Sequence, residues 1–360
     1  MQNSGVTVSR VTIGDEPRAV IAHAPPDGLP QRVLWALHHA VVAPSLHNSQ
    51  PWVFRWLPDP PTIEVYADSR RHVRTLDARG RQLTISCAAA LENLTIGLRA
   101  AGLSASVTLT PGDASGRLAT LAVGDGPEPS DADVALARAA AVRQTARGAF
   151  SDRTVPPGLL VSLIEVGRAH GTGVRLVQRP GERAGLARWT QIAHRIESYD
   201  SDLLRELAAW TRPVPGYADD GVVPAAYGRT SASARASRFP QRDFALGRGV
   251  PTDAGRPDPS DVTIAVISTP GDTPADWIAA GRTLSAVLLT AAVHGVQASY
   301  LNQAVEVPEL RPRVCEELDI DGVPQLILRL GYPAVPTGPV SPRRPLAHVL
   351  AGAADQGPRS

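Results

Sequence analysis

The sequence contains no lysine, so all 36 of its Lys and Arg residues are arginine. Schiff-base chemistry and lysine-dependent phosphate loops are therefore excluded, and an anion site would have to be built from arginine and backbone N–H groups. The 35 acidic residues nearly balance this charge, and the formal net charge is +1. Because no charge of one sign dominates, we expect no nucleic-acid partner and no attraction to an anionic membrane.

Cysteine and long apolar runs are also scarce. Cys87 and Cys315 are the only cysteines, too few for a disulfide framework, and no histidines have the spacing of a metal site, so we expect no metal and a reducing, cytoplasmic setting. No run approaches the roughly 18 apolar residues of a membrane span, and the first ten residues do not resemble an export signal. Cys87 follows a strand-like run and precedes a predicted helix. We expect its thiol to be buried and inert.

Two parts of the chain resemble one another. Residues 88–109 align without gaps to residues 281–302, and each segment has apolar positions at helical spacing followed by glycine and a strand-like run. Gly102 and Gly295 fall where a left-handed residue would end a helix. The pattern predicts an α+β protein made of two degenerate repeats.

The starts and ends of the two copies also correspond. Each begins with a helix that has proline in its first turn, at Pro30 and at Pro157, and each ends with an apolar strand, at 118–124 and at 326–332. Between its proline and its glycine the second copy is longer by 66 residues. The predicted organisation is an N-terminal extension at 1–28, a first repeat at 29–125, a second repeat at 140–350 with an insertion at about 180–259, and a tail at 351–360.

The insertion has two parts. An amphipathic helical hairpin is predicted first, with apolar positions that include Ile196 and with Asp200 or Ser201 capping its second helix. Residues 211–259 follow, rich in Pro, Gly, Ser and Arg and without periodicity, so both a functional lid and disorder remain open. Four aromatic residues could hold a lid closed: Tyr217, Tyr227, Phe239 and Phe244.

Two polar segments each occur in one copy only, so the repeated fold does not need them. The loop Ala43–Trp52 (APSLHNSQPW) offers Ser, Asn and Gln side chains that could read the edge of a planar heteroaromatic ring. The segment Arg143–Phe150 (RQTARGAF) has two arginines four apart with threonine between them, which could clasp a phosphate. Taken alone, such an arginine pair is more often a solvated helix face.

These segments resemble motifs of FMN-dependent nitroreductases. APSLHNSQPW resembles their flavin-ring loop, RQTARGAF their Arg-x-Ser/Thr-x-Arg phosphate motif, and SPRRPL at 341–346 their C-terminal basic phosphate contact; residues 76–94 share the likeness. The resemblance runs from about residue 28 to 350 and is closest to the single-chain Acg-type branch, which looks like a fused nitroreductase dimer. It implies a nitroreductase-like α+β fold in which the two repeats form an internal pseudo-dimer around one composite FMN site.

The resemblance also implies roles for individual residues. It carries phosphate binding onto five positions of the second copy: Arg143, Thr145, Arg147, Arg343 and Arg344. In the first copy it carries ring binding onto Pro44, Ser45, Leu46 and Asn48, with His47 and Gln50 beside the ring in the same loop. Asn302 falls where the family often places a group near flavin N5, although many relatives have an acidic residue there. No catalytic side chain is assigned.

Three functions are open at this point. The first is an FMN-dependent NAD(P)H oxidoreductase that serves a small organic acceptor, with nicotinamide visiting only transiently because the sequence has no dinucleotide fingerprint. The second is a protein that sequesters FMN beneath a lid, and the third is a scaffold that has lost its flavin. We favour the enzyme with an accessible flavin, as a monomer with an internal pseudo-dimer or a weak homodimer.

Overall fold

A computed structural model of the chain describes residues 29–212, 218–226, 239–244, 262–335 and 341–351. The predicted N-terminal extension, Tyr217, Tyr227 and most of residues 211–259 lie outside this part. The helices are α1 Gln31–Ala40, α2 Arg81–Ala100, α3 Asp131–Val142, α4 Pro157–Ala169, α5 Pro180–Tyr199, α6 Ser201–Ala209, α7 Pro274–Val293, α8 Gln303–Glu306 and α9 Arg311–Leu318. The strands are β1 Trp52–Pro58, β2 Pro61–Ala67, β3 Leu103–Leu109, β4 Arg117–Asp125, β5 Gly173–Leu176, β6 Thr263–Thr269, β7 Gln297–Tyr300, β8 Val323–Gly331 and β9 Leu350–Ala351.

The strands form two sheets, with orders β3-β4-β2-β1-β9 and β5-β6-β8-β7. When β1 to β4 are matched with β5 to β8 in chain order, the four-stranded cores have the same arrangement. Neighbouring strands are antiparallel except β1 and β9, which are parallel and join the two parts of the chain. The α+β prediction is confirmed, and the matching strand orders agree with the predicted repeat.

Helices α2 and α7 pack against one another in the interior and are largely buried. Their contact is closest at Gly281, where an added Cβ would stand 2.3 Å from the carbonyl oxygen of Ile85 and 2.7 Å from the Cβ of Ala88. Among the described helices, α7 alone has the length and hydropathy of a membrane span, but 72% of that stretch is buried inside the protein. Packing in the core accounts for its apolar composition.

Both predicted helix-ending glycines are confirmed. Gly102 has φ 68° and Gly295 has φ 74°, a left-handed conformation that glycine adopts without a Cβ clash. The strand-like reading of the residues before Cys87 is wrong, since Cys87 lies inside α2. That helix begins earlier because the carboxylate of Asp77 accepts hydrogen bonds from the N–H groups of Gln82 and Leu83. Cys87 is fully buried, as predicted, and burial raises the pKa of its thiol.

The helical hairpin of the insertion is confirmed as α5 and α6. Asp200 caps α6 by accepting hydrogen bonds from the N–H groups of Asp202 and Leu203. Ile196, expected on the apolar face, is 45% exposed, whereas the next residue, Glu197, is buried, so the packed face of α5 lies to one side of Ile196. The hairpin brings Glu197, near the end of α5, into the interior.

A buried ionic cluster joins α2, α4 and α7 and makes stability depend on pH. Glu92 accepts a hydrogen bond from Arg282 at 2.8 Å and lies 3.4 Å from His170, whose pKa is raised by its hydrogen bond to Glu92. This charged contact stabilises the fold below the unfolded pKa of about 6.5, and its contribution is lost as pH rises through the higher folded pKa. His170→Gln should therefore lower the free energy of unfolding by about 1–2 kcal/mol at pH 6 and by less at pH 9 in urea titrations.

The exposed His348→Gln serves as control for this pH effect. An equal loss of stability for His170→Gln at both pH values would show that the charged form of His170 contributes nothing.

Candidate functional site

The loop predicted to read a planar ring has an unusual backbone. His47, Asn48 and Gln50 have φ of 49°, 55° and 49°, values that side-chain-bearing residues seldom adopt. The loop is held by hydrogen bonds from Gln50 N to Ser45 Oγ at 3.0 Å and from Leu46 N to a serine hydroxyl of α2 at 3.1 Å. Local strain kept in place by surrounding contacts is typical of functional loops.

The arginine-threonine segment is extended and does not form a helix face. Arg143 ends α3 with extended backbone angles, and Thr145 then forms an isolated parallel bridge with Ala298 of β7. The N–H of Ala146 donates to the carbonyl of Ala298 at 2.8 Å. The segment therefore runs beside the second sheet, and the solvated-helix alternative does not apply.

One cleft, partly open to solvent and with a cavity volume of about 110 Å³, brings most of the predicted positions together. Those that line it are Pro44, Ser45, Leu46, His47, Asn48, Arg143, Thr145, Arg147, Asn302 and Arg343. Both copies contribute to its wall, as the composite-site prediction requires. The remaining lining residues are Gln82, Ile85, Ser86, Gln144, Gln241, Arg242, Phe244, Leu284, Tyr300, Gln303, Glu306, Leu326 and Ser341.

Two predicted positions do not line this cleft. The side-chain oxygen of Gln50 accepts a hydrogen bond from the N–H of Arg344 at 2.8 Å, and its amide nitrogen donates to the carbonyl of Asp219 at 2.8 Å. The guanidinium of Arg344 donates to the carbonyls of Gln50 and His348. Gln50 and Arg344 therefore connect the ring loop, the insertion and the C-terminal segment outside the cleft.

Asn48 connects three segments of the wall. Its amide nitrogen donates to the carbonyls of Gly221 and Pro342, each at 3.0 Å, and its oxygen accepts a hydrogen bond from Arg343 at 2.9 Å. The ring loop, the insertion and the C-terminal basic segment meet at this side chain. A described part of the insertion therefore belongs to the site.

Asn302 is held at the far side of the cleft by the second sheet. Its side-chain oxygen accepts a hydrogen bond from the N–H of Ile327 in β8 at 2.8 Å, and the residue is 8% exposed. This contact orients the side-chain amide of Asn302, and the residue lines the cleft. Its predicted place near flavin N5 stays a prediction.

Three largely buried arginines gather at one end of the cleft without a carboxylate. Burial lowers the pKa of Arg143, that of Arg147 to about 10 and that of Arg343 to about 9, and Arg143 adds repulsion at Arg343. Within the described ranges none of the three forms an ion pair with an acidic side chain, and their hydrogen bonds go to oxygens such as the carbonyls of Val42 and Ala226. Burying like charges this way is costly unless an anion binds among them.

Tyr300 lies at the same end of the cleft, and burial raises the pKa of its hydroxyl. A neutral phenol beside the arginines can donate a hydrogen bond to an anion. This end of the cleft thus fits a phosphate group.

A second charged group lies elsewhere in the wall. Arg242, from the insertion, donates hydrogen bonds to Glu197 and, at 2.7 Å, to Glu306. Burial opposes its charge, but the two carboxylates outweigh burial and raise the pKa of Arg242. The other oxygen of Glu306 accepts a hydrogen bond from Gln82 at 3.2 Å. Arg242 is thus charged and paired with two carboxylates, unlike Arg143, Arg147 and Arg343 in the described structure.

His47 lies between the two charged groups. Its Nε2 is 3.2 Å from a guanidinium nitrogen of Arg242, and its ring meets that of Phe244 edge-on with centroids 5.5 Å apart. Burial, followed by the positive charges of Arg242 and Arg147, lowers the pKa of His47 well below its usual value. The imidazole is therefore neutral at physiological pH.

The sequence prediction missed two of the residues that the insertion adds to the cleft. Gln241 and Arg242 lie in a stretch without periodicity, and no local signal could have identified them. Gln82 and Ser86, by contrast, lie within residues 76–94, which shared the family likeness and could have directed attention to them. Phe239 and Phe244 are buried, which agrees with their predicted anchoring role.

Fold and cleft together describe an α+β protein in which both copies contribute to one wall, with three buried arginines and a polar loop lining the same cleft. No family model matches the sequence. The protein named "Putative NAD(P)H nitroreductase Rv3131" of Mycobacterium tuberculosis is 31% identical over 342 residues, 94% of this chain and 95% of that protein. "Putative NAD(P)H nitroreductase acg" of the same organism is 28% identical and covers 88% of this chain and 94% of its own length.

The chain therefore belongs to this family of NAD(P)H nitroreductase-like proteins, as its motifs predicted. Among solved structures, the FMN and NADPH-dependent nitroreductase NfnB from Sphigopyxis sp. strain HMH is 17% identical. The match covers 60% of this chain and 97% of that one, with a TM-score of 0.37.

Proposed function

We propose that the protein is an FMN-dependent oxidoreductase that takes electrons from NAD(P)H and passes them to a small organic acceptor. The observation that carries the proposal is the composite cleft, in which three arginines without carboxylate partners among the described residues lie at one end and the polar ring loop lies in the same wall. The name given to Rv3131, a relative over nearly the whole chain, supports the same reaction class.

The residues present fit FMN. Arg143, Arg147 and Arg343 would hold the phosphate by charge-assisted hydrogen bonds, which are about twice as strong as neutral ones. Ile85, Leu284 and Leu326 give the cleft apolar surface of the kind that a flavin ring can cover. The ring-loop residues and Asn302 would contact its polar edge.

The chain's own residues bind and orient, and bound FMN would supply the two-electron chemistry. Described insertion residues, among them Gln241 and Phe244, narrow the cleft and limit access of water. The open side of the cleft would give nicotinamide and the acceptor access to it.

We expect one FMN per chain, and we expect NADH or NADPH to bleach it anaerobically. The stoichiometry follows because each copy supplies only complementary parts of the site. Flavin released by heat should give a molar ratio near one, and absorbance near the flavin maximum should fall when nicotinamide is added.

Dithionite provides the control, because this small reductant needs no docking surface for nicotinamide. Bleaching by dithionite alone would contradict the oxidoreductase and favour sequestration. A ratio near two would contradict the composite site, and a protein that cannot be reconstituted with FMN would favour a scaffold.

A further inference from the structure

The contact between Arg242 and His47 determines where the imidazole carries its proton. Guanidinium nitrogens donate hydrogen bonds and do not accept them, so the 3.2 Å contact makes Nε2 of His47 the acceptor. A neutral imidazole that accepts at Nε2 carries its hydrogen on Nδ1. Nδ1 is then a donor.

Arg242 is fixed in the position that this contact needs. Glu197 of α5 and Glu306 of α8 both accept hydrogen bonds from it, and these carboxylates come from different elements. Its positive charge also opposes protonation of His47, as does that of Arg147. The arginine thus holds His47 neutral and in one tautomer.

Nδ1 of His47 is buried and has no hydrogen-bond partner among the described residues. The residue is 4% exposed and lines the cleft. Phe244 packs edge-on against its ring, and the contact of Nε2 with Arg242 holds the ring from the other nitrogen. A buried N–H without an acceptor is unfavourable, and a ligand oxygen would remove that cost.

We propose that His47 is a neutral hydrogen-bond donor whose Nδ1–H is held, in a tautomer set by Arg242, for a carbonyl oxygen of the ring bound in the cleft. The identity of the ring as a flavin rests on the proposed function, whereas the tautomer does not. Since the oxygen gains electron density when the ring is reduced, the same hydrogen bond favours the reduced form. His47 is thus assigned a role in tuning the ring as well as binding it.

Nitrogen-15 NMR of the full chain tests the tautomer without any ligand. We expect His47 to show the Nδ1–H neutral pattern from pH 8 down to the ordinary histidine pKa of about 6.5, with His47→Asn identifying its signals. Asparagine suits this position because it tolerates left-handed backbone. An Nε2–H pattern, or titration near the ordinary histidine pKa, would overturn the proposal. Arg242→Gln, whose amide oxygen can accept a hydrogen bond from Nε2, should populate the Nε2–H tautomer, and an unchanged pattern would refute the part assigned to Arg242.

Addition of FMN tests the donor. The Nδ1–H signal should move on saturation and become protected from exchange, and His47→Gly, which removes the donor and tolerates left-handed backbone, should weaken FMN and riboflavin alike by about three- to tenfold, the size of one neutral hydrogen bond. It should also lower the reduction potential of the bound flavin. His39→Asn, which alters a buried histidine of α1 that bonds the carbonyl of Trp35, should change neither property.

The outcomes separate the two claims. Saturation by FMN with an unmoved His47 signal would overturn the inference and leave the proposed function standing. Failure of wild-type protein to bind FMN would overturn the proposed function, and with it the flavin carbonyl as acceptor.

Discussion

Arg147→Ala is expected to weaken FMN binding by about ten- to a hundredfold while riboflavin binding changes little. The guanidinium lies in the cleft with no carboxylate partner in the described structure, and a hydrogen bond to a charged group contributes roughly 1.5–3 kcal/mol. Riboflavin lacks the phosphate but has the same ring. Fluorescence titration of the apoprotein with each ligand measures the difference.

Arg344→Ala is the matched control, because its guanidinium bonds the carbonyls of Gln50 and His348 outside the cleft. The family motif predicts a phosphate role for both Arg343 and Arg344, whereas the structure places Arg343 alone in the cleft wall. Equal losses for Arg147→Ala and Arg344→Ala would show that the cleft arginines do not form the phosphate site. Equal losses of FMN and riboflavin affinity would point to a general disturbance of the fold.

Gly281→Ala is expected to lower the free energy of unfolding by at least about 2 kcal/mol. The added Cβ would lie 2.3 Å from the carbonyl oxygen of Ile85 and 2.7 Å from the Cβ of Ala88, so α2 and α7 would have to separate. Overpacking a well-packed core typically costs 1–3 kcal/mol, and here the clash involves backbone atoms that cannot rotate away. Chemical denaturation at a fixed pH gives the value.

Gly158→Ala makes the same chemical change where no atom lies within 4 Å of the new Cβ. Gly158 is in the first turn of α4, so alanine should stabilise the protein by about 0.4–1 kcal/mol by restricting the unfolded chain. If both substitutions changed stability by the same amount, backbone entropy rather than helix contact would explain the result at Gly281.

The features of the fold that the sequence predicted are those that depend on residues close together in the chain. The helix-ending glycines, the hairpin cap at Asp200 and the paired apolar strands all follow from interactions among nearby residues. Cys87 was placed wrongly because the alternating run before it suits a strand, while the Asp77 cap and burial against α7 select a helix. Tertiary context overrides propensity in such runs.

Some residues of the site could also be predicted from the sequence, and others could not. Residues that carry family motifs, such as Asn48 and Arg147, were located in advance, whereas Arg242 was not. Arg242 matters because it contacts Glu197, Glu306 and His47, which lie on separate elements. No spacing along the sequence predicts contacts between such distant residues.

The hydrogen bond between Asn48 and Arg343 also has a consequence for biosynthesis. The two residues are separated by 295 positions, so at ordinary rates of synthesis on the order of 15–60 s pass between their emergence. During that interval strands β1 to β4 can pair, but β9 has not been made and the strained loop before β1 lacks the arginine that later fixes it. Cofactor capture is therefore a late event in the maturation of the chain, and a nascent first repeat should have no means of retaining flavin.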